Sequence, residues 1–333
     1  MLVHVVALLS MALVVNEIPK PEAPRMITAS APEIEVVPFT DHVHDPGQLV
    51  ARLRDFDAVM RIRERTEFPR AVLEALPRLK LMLATGMRIS RSIDLPATRE
   101  LGITVCSTQV HHHTTVELAW GLILSLMRRI HTEAASLRAG GWQIGFGQGL
   151  SSKTLGVLGL GSMGVPVAQI GKLFGMNVVA WSPNLTPERT APHGVTCVSK
   201  AELFAEADVL TIHIPHSDST AGIVGAADIA RMKRSAYLIN TSRPALIDQP
   251  ALIAALSERR IAGAGLDVYD IEPLPIEHPY RSLPTVLATP HIGFVTEENH
   301  RIFYEQSLEN AKAWLAGAPI RVVNGAVASE LIK

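Results

Sequence analysis

Three polar residues that follow apolar, strand-like segments carry the groups that reduction of a carbonyl needs. Arg243 follows YLINTS, Glu272 follows GAGLDVYDI and His291 follows TVLATP. Such a reaction needs a cation to hold the substrate and polarise its carbonyl, and an acid to protonate the developing alkoxide. An arginine grips a carboxylate with two hydrogen bonds, and a carboxylate raises the pKa of a neighbouring imidazole. Taken singly, each residue is more readily a surface cation, a helix-capping acid or a filler at a strand end, but their joint placement after successive strands, downstream of a phosphate-binding turn, favours the catalytic interpretation.

A glycine-rich turn in mid-chain predicts a dinucleotide site. The stretch VLGLGSMG places Gly159, Gly161 and Gly164 in the G-x-G-x-x-G spacing, after a strand pattern and before a helix pattern. The glycines permit a tight turn and close approach of backbone to a pyrophosphate, which the N-terminus of the following helix attracts. The strand before the turn and the helix after it are the context that this motif requires.

The choice between NAD and NADP stays open. An acidic residue normally binds the adenosine ribose of NAD at the end of the second strand, where this chain has Ser182. Serine does not repel a 2'-phosphate. No arginine follows immediately to attract one, and Arg189 is seven positions further on.

Strand and helix patterns alternate from residue 34 to 106, and again from Thr154 to about residue 295. This alternation predicts parallel βαβ units in two α/β domains. A buried helix is expected at 114–130, and another from Glu297 to Leu315 returns the chain to the first domain. We therefore predict a discontinuous substrate domain at 1–110 and 297–333, and a dinucleotide-binding domain at 111–296. The three polar residues would then converge outside the carboxyl ends of one sheet, beside the nicotinamide.

Composition limits the classes of partner and compartment. The 333 residues include 31 basic and 32 acidic side chains, which gives no electrostatic reason to expect nucleic acid or an anionic membrane. Two cysteines, Cys106 and Cys197, fit a reducing cytoplasm. The apolar start MLVHVVALLSMALVV is predicted to be a buried strand rather than a leader, since no basic residue precedes it. Three consecutive histidines at 111–113 are expected in a solvated hinge loop, and no metal is predicted.

At this point the chain resembles the D-isomer-specific 2-hydroxyacid dehydrogenases over nearly its whole length. The resemblance rests on GLGSMG, INTSR with Arg243, GLDVYDIEP with Asp267 and Glu272, and TPHIG with His291, in the order and spacing of the family. It implies a Rossmann domain with a doubly wound parallel sheet and a smaller flavodoxin-like α/β substrate domain built from both chain ends. An active cleft between them and a homodimer formed through the Rossmann domain are also implied.

The resemblance assigns roles to individual residues. Arg243 would bind the carboxylate and carbonyl of a 2-oxo acid, His291 would be the acid/base, and Glu272 would tune His291. Asp267 would face the nicotinamide side of the cofactor, beside further cofactor contacts at Ser162, Met163, Ile214, Pro215, Thr220, Thr241 and Ser242. The substrate carboxylate would also meet backbone N–H groups of the loop formed by Gly86, Met87 and Arg88.

Two positions depart from the family pattern of glycine. Pro244 follows Arg243 and predicts an extended backbone there, which weakens the aim of the arginine if another conformation is needed. Phe294 would make the surroundings of His291 more crowded and apolar.

The leading hypothesis is an NAD(P)-dependent oxidoreductase that interconverts a 2-oxo acid and a D-2-hydroxy acid. Formate oxidation is disfavoured, since those family members carry glutamine at the position of Glu272. The alternative is a dinucleotide-sensing regulatory protein, similar to the corepressors of the family. The side chain of the substrate stays open.

Overall fold

The computed structural model describes residues 9–14, 34–39, 41, 43, 45–62, 66–86, 89, 92–111 and 113–325. The chain divides into two compact units, Met1–His111 with Glu297–Lys333, and His112–Thr296. Each contains one sheet whose paired strands all run parallel within the described ranges. The predicted α/β fold class is therefore confirmed. That one unit binds substrate and the other the dinucleotide stays a prediction.

The first unit has five strands in the order β2-β1-β3-β4-β5, which is the flavodoxin-like order. Its strands are β1 Leu9–Val14, β2 Ile34–Phe39, β3 Ala58–Arg61, β4 Leu81–Ala84 and β5 Thr104–Ser107. Its helices are α1 Pro46–Leu53, α2 Arg70–Glu74, α3 Leu95–Glu100 and α12 Glu297–Leu315. Helices α1 and α3 begin where Asp45 and Asp94 accept a backbone N–H and a proline fixes the first turn. Every side chain of β3 and β4 is buried, as parallel sheets require.

The second unit has seven strands in the order β12-β11-β10-β9-β6-β7-β8. From β6 the chain adds β7 and β8 on one side and β9 to β12 on the other, as in a doubly wound sheet. Its strands are β6 Thr154–Leu158, β7 Asn177–Trp181, β8 Thr196–Cys197, β9 Val209–Ile212, β10 Tyr237–Asn240, β11 Gly263–Leu266 and β12 Val286–Ala288. Its helices are α4 His113–Met127, α5 Ile130–Arg138, α6 Gly164–Leu173, α7 Pro187–Thr190, α8 Lys200–Glu206, α9 Ala226–Arg231, α10 Gln249–Ser257 and α11 Pro279–Ser282.

Successive strand residues of this unit alternate between two apolar clusters. Val209 and Ile239 pack in a cluster with α4 and α6, whereas Leu210 and Leu238 pack in a cluster with α8, α9 and α10. Because successive strand side chains point to opposite faces, the sheet is covered by helices on both sides. This burial fixes the positions of the loops at its carboxyl edge.

Three elements test the predicted boundaries. The helix predicted at 297–315 is confirmed. The helix predicted at 114–130 ends early, at Met127, because Arg129 takes the left-handed conformation with φ of 57° and separates α4 from α5. The strand expected in the N-terminal run is β1, while residues 1–8 lie outside the described part of the chain. None of the helices in the described ranges combines the length and the apolar character needed to cross a membrane.

Candidate active site

The residues predicted to do chemistry follow neighbouring strands at one edge of the seven-stranded sheet. Thr289 N donates to Leu266 O at 2.9 Å, and Asp267 N donates to Asn240 O at 3.0 Å. These bonds continue the ladder beyond β12, β11 and β10. The segments that carry His291, Glu272 and Arg243 therefore leave the sheet side by side. Their positions are those at which open parallel sheets bind ligands.

His291 and Glu272 form a hydrogen-bonded pair. His291 Nδ1 lies 2.6 Å from Glu272 Oε2, and their side chains are 19% and 21% exposed. The other carboxylate oxygen of Glu272 accepts the N–H of Tyr269 at 3.0 Å. Because an ionised carboxylate only accepts hydrogen bonds, Nδ1 carries a hydrogen and Nε2 is the ring nitrogen left to exchange a proton with a substrate.

A second histidine near this edge is not suited to donate a proton. His213 follows β9, and its Nε2 lies 2.8 Å from Thr211 Oγ1. Burial lowers the pKa of His213 to about 4. It is therefore neutral near pH 7, which leaves His291 as the better-placed acid.

The loop that carries His291 is held by the buried carboxylate of Asp267. Asp267 is 1% exposed, and it accepts hydrogen bonds from Thr289 Oγ1 at 2.6 Å, Ile292 N at 2.8 Å and Gly293 N at 2.9 Å. Burial raises the pKa of the Asp267 carboxyl, and these donors oppose that rise. His291 lies inside the loop with φ of 54°, a conformation that non-glycine residues adopt rarely. The carboxylate thus holds the histidine backbone in an unfavourable conformation.

Removal of the Asp267 carboxylate is expected to loosen this loop. In Asp267→Ala the N–H groups of Ile292 and Gly293 lose their acceptor, and each buried donor left unsatisfied costs about 1–3 kcal/mol, offset in part by relief of the buried charge. We expect a lower free energy of unfolding in urea, together with a lower kcat. The matched control is Asp270→Asn, because Asp270 lies three residues further on and is exposed. Unchanged stability and kcat in Asp267→Ala would show that the loop needs no such anchor.

Two residues that were not singled out from the sequence also hold this loop. Tyr269 Oη lies 2.8 Å from Leu266 O and 2.9 Å from Thr289 O, where its single hydrogen is shared between the two carbonyls. Thr115 Oγ1 donates to Gly293 O at 3.0 Å. Tyr269 stands three positions before Glu272 in the quoted motif, which was the available signal, whereas nothing local in the sequence points to Thr115.

Arg243 is half-buried and its backbone is extended, with φ of −144° and ψ of 143°. Pro244 starts a short 3-10 helix, Pro244–Leu246, and imposes this geometry on the residue before it. Asn240 fixes the turn from both sides, since its Nδ2 donates to Arg243 O and its Oδ1 accepts from Ser242 N. Arg243 Nη1 donates to Ser242 O at 2.7 Å.

The glycine turn has the shape that a pyrophosphate needs. Gly159 has φ of 99°, and a Cβ there would lie 2.7 Å from Ile214 N, while a Cβ at Gly164 would clash with the carbonyl of Gly159. A Cβ at Gly161 would meet nothing within 4 Å, so the space is open where a phosphate would approach. The turn therefore fits the dinucleotide that the sequence predicts.

The other predicted cofactor contacts lie along the same edge. Ser242 Oγ donates to Ile214 O and Thr220 Oγ1 donates to Pro215 O, both at 2.8 Å, so these hydroxyls shape the segment after β9. The buried hydroxyl of Thr241 has no partner among the described residues, as expected of a group that meets a ligand. Ser162 is exposed and Met163 precedes the first residue of α6. The contacts of these residues, of Ser182 and of Asp267 with a cofactor stay predictions.

The predicted substrate loop belongs to the other unit, where Gly86 follows β4 with φ of 80°. Its N–H donates to Thr108 Oγ1 at 3.0 Å. This N–H thus has a buried partner within the unit, and the contact of Gly86 with a substrate stays a prediction. Met87 and Arg88 lie outside the described residues, as does His112 of the histidine run. No three metal-ligating side chains cluster in the ranges that the structure covers.

Comparison with known proteins shows what the chain is similar to. Residues 120–293 match the family model for the D-isomer specific 2-hydroxyacid dehydrogenase, NAD binding domain. The chain is 36% identical over 274 residues to a D-3-phosphoglycerate dehydrogenase of Methanocaldococcus jannaschii, covering 81% of this chain and 52% of that one. It is 35% identical over 289 residues to a glyoxylate reductase of Thermococcus litoralis, covering 84% and 86%.

A solved structure agrees with these matches. A putative D-3-phosphoglycerate dehydrogenase oxidoreductase from Ralstonia solanacearum superimposes with a TM-score of 0.88 at 33% identity, covering 96% of this chain and 98% of that chain. Against the phosphoglycerate dehydrogenases of Methanocaldococcus jannaschii and Synechocystis, the chain spans about half of the length of the relative, 52% and 50%.

Proposed function

The chain belongs to the D-isomer specific 2-hydroxyacid dehydrogenases, and from this premise we propose that it interconverts a 2-oxo acid and the corresponding D-2-hydroxy acid. The cofactor is NAD or NADP. The observation that carries the proposal is the pairing of His291 with Glu272 in a loop that Asp267 anchors. A structural histidine needs no carboxylate partner and no buried anchor, whereas an acid/base needs its ring and tautomer fixed.

Each of the three polar residues has one task in the proposed reaction. Arg243 binds the carboxylate of the substrate and places positive charge beside its carbonyl oxygen. The nicotinamide, when bound, supplies the hydride in reduction or accepts it in oxidation. His291 gives its Nε2 proton to the carbonyl oxygen as the C–H bond forms, and the neutral ring regains a proton from solvent. Glu272 accepts the hydrogen bond from Nδ1–H, which fixes the ring and leaves Nε2 for the proton transfer.

A panel of substrates tests this proposal. Glyoxylate, hydroxypyruvate and longer 2-oxo acids are each mixed with NADH and with NADPH, and oxidation of the nicotinamide is followed at steady state. Saturable turnover on at least one acid supports the dehydrogenase. Cofactor binding without turnover on any of them would favour the regulatory, corepressor-like alternative. We place the activity in the cytoplasm, because both cysteines are unpaired thiols and Cys106 is buried.

We propose that the second unit forms the homodimer through helix α5 and the loop that follows it. Large apolar side chains are exposed there, among them Trp142 at 78% and Phe146 at 96%, with Ile130, Leu137 and Ile144. The loop is ordered against the helices, because Ile144 N donates to Glu133 Oε2 and Gln148 N donates to Met127 O. An ordered apolar surface of this kind marks a protein interface.

Phe146→Asp is expected to convert the dimer to a monomer. A carboxylate at the centre of an apolar interface loses its hydration with no partner, so association should weaken by at least about 2 kcal/mol. Sedimentation velocity over a range of protein concentrations measures this change. Leu173→Asp is the control, because Leu173 is an equally large and exposed apolar residue at the end of α6. A wild-type chain that sediments as a monomer, or a dimer that survives Phe146→Asp, contradicts the proposal.

A further inference from the structure

The segment after β7 lies directly beside the phosphate turn. Gly159 N donates to Trp181 O at 2.9 Å, which joins the first glycine of the turn to the last residue of β7. Ser182 is the next residue, and its carbonyl accepts the N–H of Leu185 at 3.1 Å, closing a tight turn over 182–185. This position, at the end of the second strand of a doubly wound sheet, is where the adenosine ribose of a dinucleotide comes to lie.

Arg189 is folded back onto this turn. Its Nη1 donates to Asn184 O at 2.7 Å, across five positions of the sequence. Arg189 is exposed and forms no ion pair in the described part of the chain. The guanidinium has five N–H donors, so one bond to a carbonyl leaves several for another acceptor. The turn therefore places the guanidinium of Arg189, which has no counter-ion among the described residues, close to Ser182. The seven positions that separate the two residues in the sequence did not reveal this proximity.

No acidic side chain is available at the turn to bind a ribose hydroxyl pair. Residues 182–187 read SPNLTP and contain no Asp or Glu. The first carboxylate after the turn, Glu188, lies in the first turn of α7, where a hydrogen bond with the Thr186 side chain lowers its pKa. Lys200, whose ammonium lies 5.8 Å from the ring centre of Trp181, forms an ion pair with Asp228 at 2.7 Å. Of these charges, Arg189 is the one that faces the turn without a counter-ion.

We propose that this site selects NADPH over NADH, with Arg189 and the Ser182 hydroxyl binding the 2'-phosphate of the adenosine ribose. A serine accepts a phosphate neighbour that a carboxylate would repel, and an arginine fork matches phosphate oxygens in two hydrogen bonds. The inference rests on the proposed function only for the presence of a dinucleotide. It concerns binding alone, so it can fail while the dehydrogenase proposal holds.

Calorimetric titration of the full chain with adenosine 2',5'-bisphosphate and with AMP tests this inference. The two probes differ only by the 2'-phosphate and need no turnover. We expect the bisphosphate to bind at least about tenfold more tightly, a ratio that should fall as salt is raised. Arg189→Ala should bring the ratio close to one while leaving the affinity for AMP unchanged. Ser182→Asp should reverse the preference, because the carboxylate repels the phosphate and binds the ribose hydroxyls.

Glu188→Gln is the matched control, since it changes charge by one unit on the same short helix without touching the proposed contact. It should raise the affinity for the bisphosphate far less than Arg189→Ala lowers it. If the two variants change the affinity for the bisphosphate equally and in opposite directions, the net charge near the turn determines this affinity rather than a contact between Arg189 and the 2'-phosphate. That result overturns the assignment. A wild-type chain that binds the two probes equally overturns it as well. Turnover with NADH alone would refute NADPH selection and leave the dehydrogenase proposal standing.

Discussion

Replacement of His291 by asparagine is expected to lower kcat by about 10²- to 10⁴-fold, the range that general acid–base catalysis contributes. The dissociation constant of the cofactor should change little, because only the transition state needs the proton. Asparagine is chosen because it tolerates the left-handed backbone that His291 adopts, with φ of 54°, better than alanine does. Single-turnover rates and calorimetric titration of the cofactor measure the two quantities separately. His291→Ala should lose the same activity, with an added loss of stability.

The partner of the histidine supplies a second measurement. In Glu272→Gln the side chain keeps its shape but loses the negative charge that lies 2.6 Å from Nδ1. The kcat for reduction should then fall while the dissociation constant of the cofactor changes little, since a neutral amide oxygen holds the imidazole N–H less strongly than a carboxylate does. Equal losses of kcat and of cofactor affinity in His291→Asn would mean that the histidine is structural. An unchanged kcat in Glu272→Gln would mean that the charge of the carboxylate is not needed and that its shape alone positions the ring.

The sequence predicted those features that depend on local pattern. Alternating apolar runs and helical segments were enough to predict two parallel sheets, because a strand that is buried on both faces is a continuous apolar run in the sequence. The order of the motifs was enough to predict that Arg243, Glu272 and His291 lie along one edge of a sheet, because neighbouring parallel strands have their carboxyl ends at the same edge. The glycine spacing predicted a turn whose close contacts admit no side chain at Gly159 or Gly164.

The features that the sequence did not reveal depend on contacts between distant residues. Both oxygens of Asp267 accept hydrogen bonds from a loop some 25 residues further along, an anchoring role that the motif did not reveal, while its contact with the cofactor stays a prediction. Arg189 stands seven positions after Ser182, and only the backbone turn at Asn184 brings its guanidinium back. The N–H of Gly86 is used by Thr108, across 22 positions. Residue spacing carries no information on such pairings, because they depend on how the loops fold at the edge of each sheet.

Arg243→Lys is expected to lower kcat/KM for 2-oxo acids by about tenfold to a hundredfold, because an ammonium group keeps the charge but loses the second hydrogen bond to the carboxylate. Arg243→Ala removes the charge as well and should cost about 10³-fold or more. Arg260→Lys is the matched control, since Arg260 lies on the surface of the same unit and pairs with Glu258.

Pro244 stands where the family pattern has glycine, and it imposes an extended backbone on Arg243. Variants of Arg243 and Pro244 together show whether the guanidinium still reaches the substrate from this backbone. If the arginine aims correctly in that conformation, Arg243→Lys loses activity on 2-oxo acids while its cofactor affinity is kept, and Pro244→Gly gains nothing. If the proline misdirects the side chain, the wild type is a weak enzyme, Arg243→Lys resembles it closely, and Pro244→Gly is the more active variant. The comparison of kcat/KM across the three chains therefore separates an arginine that binds substrate from one that the proline has turned aside.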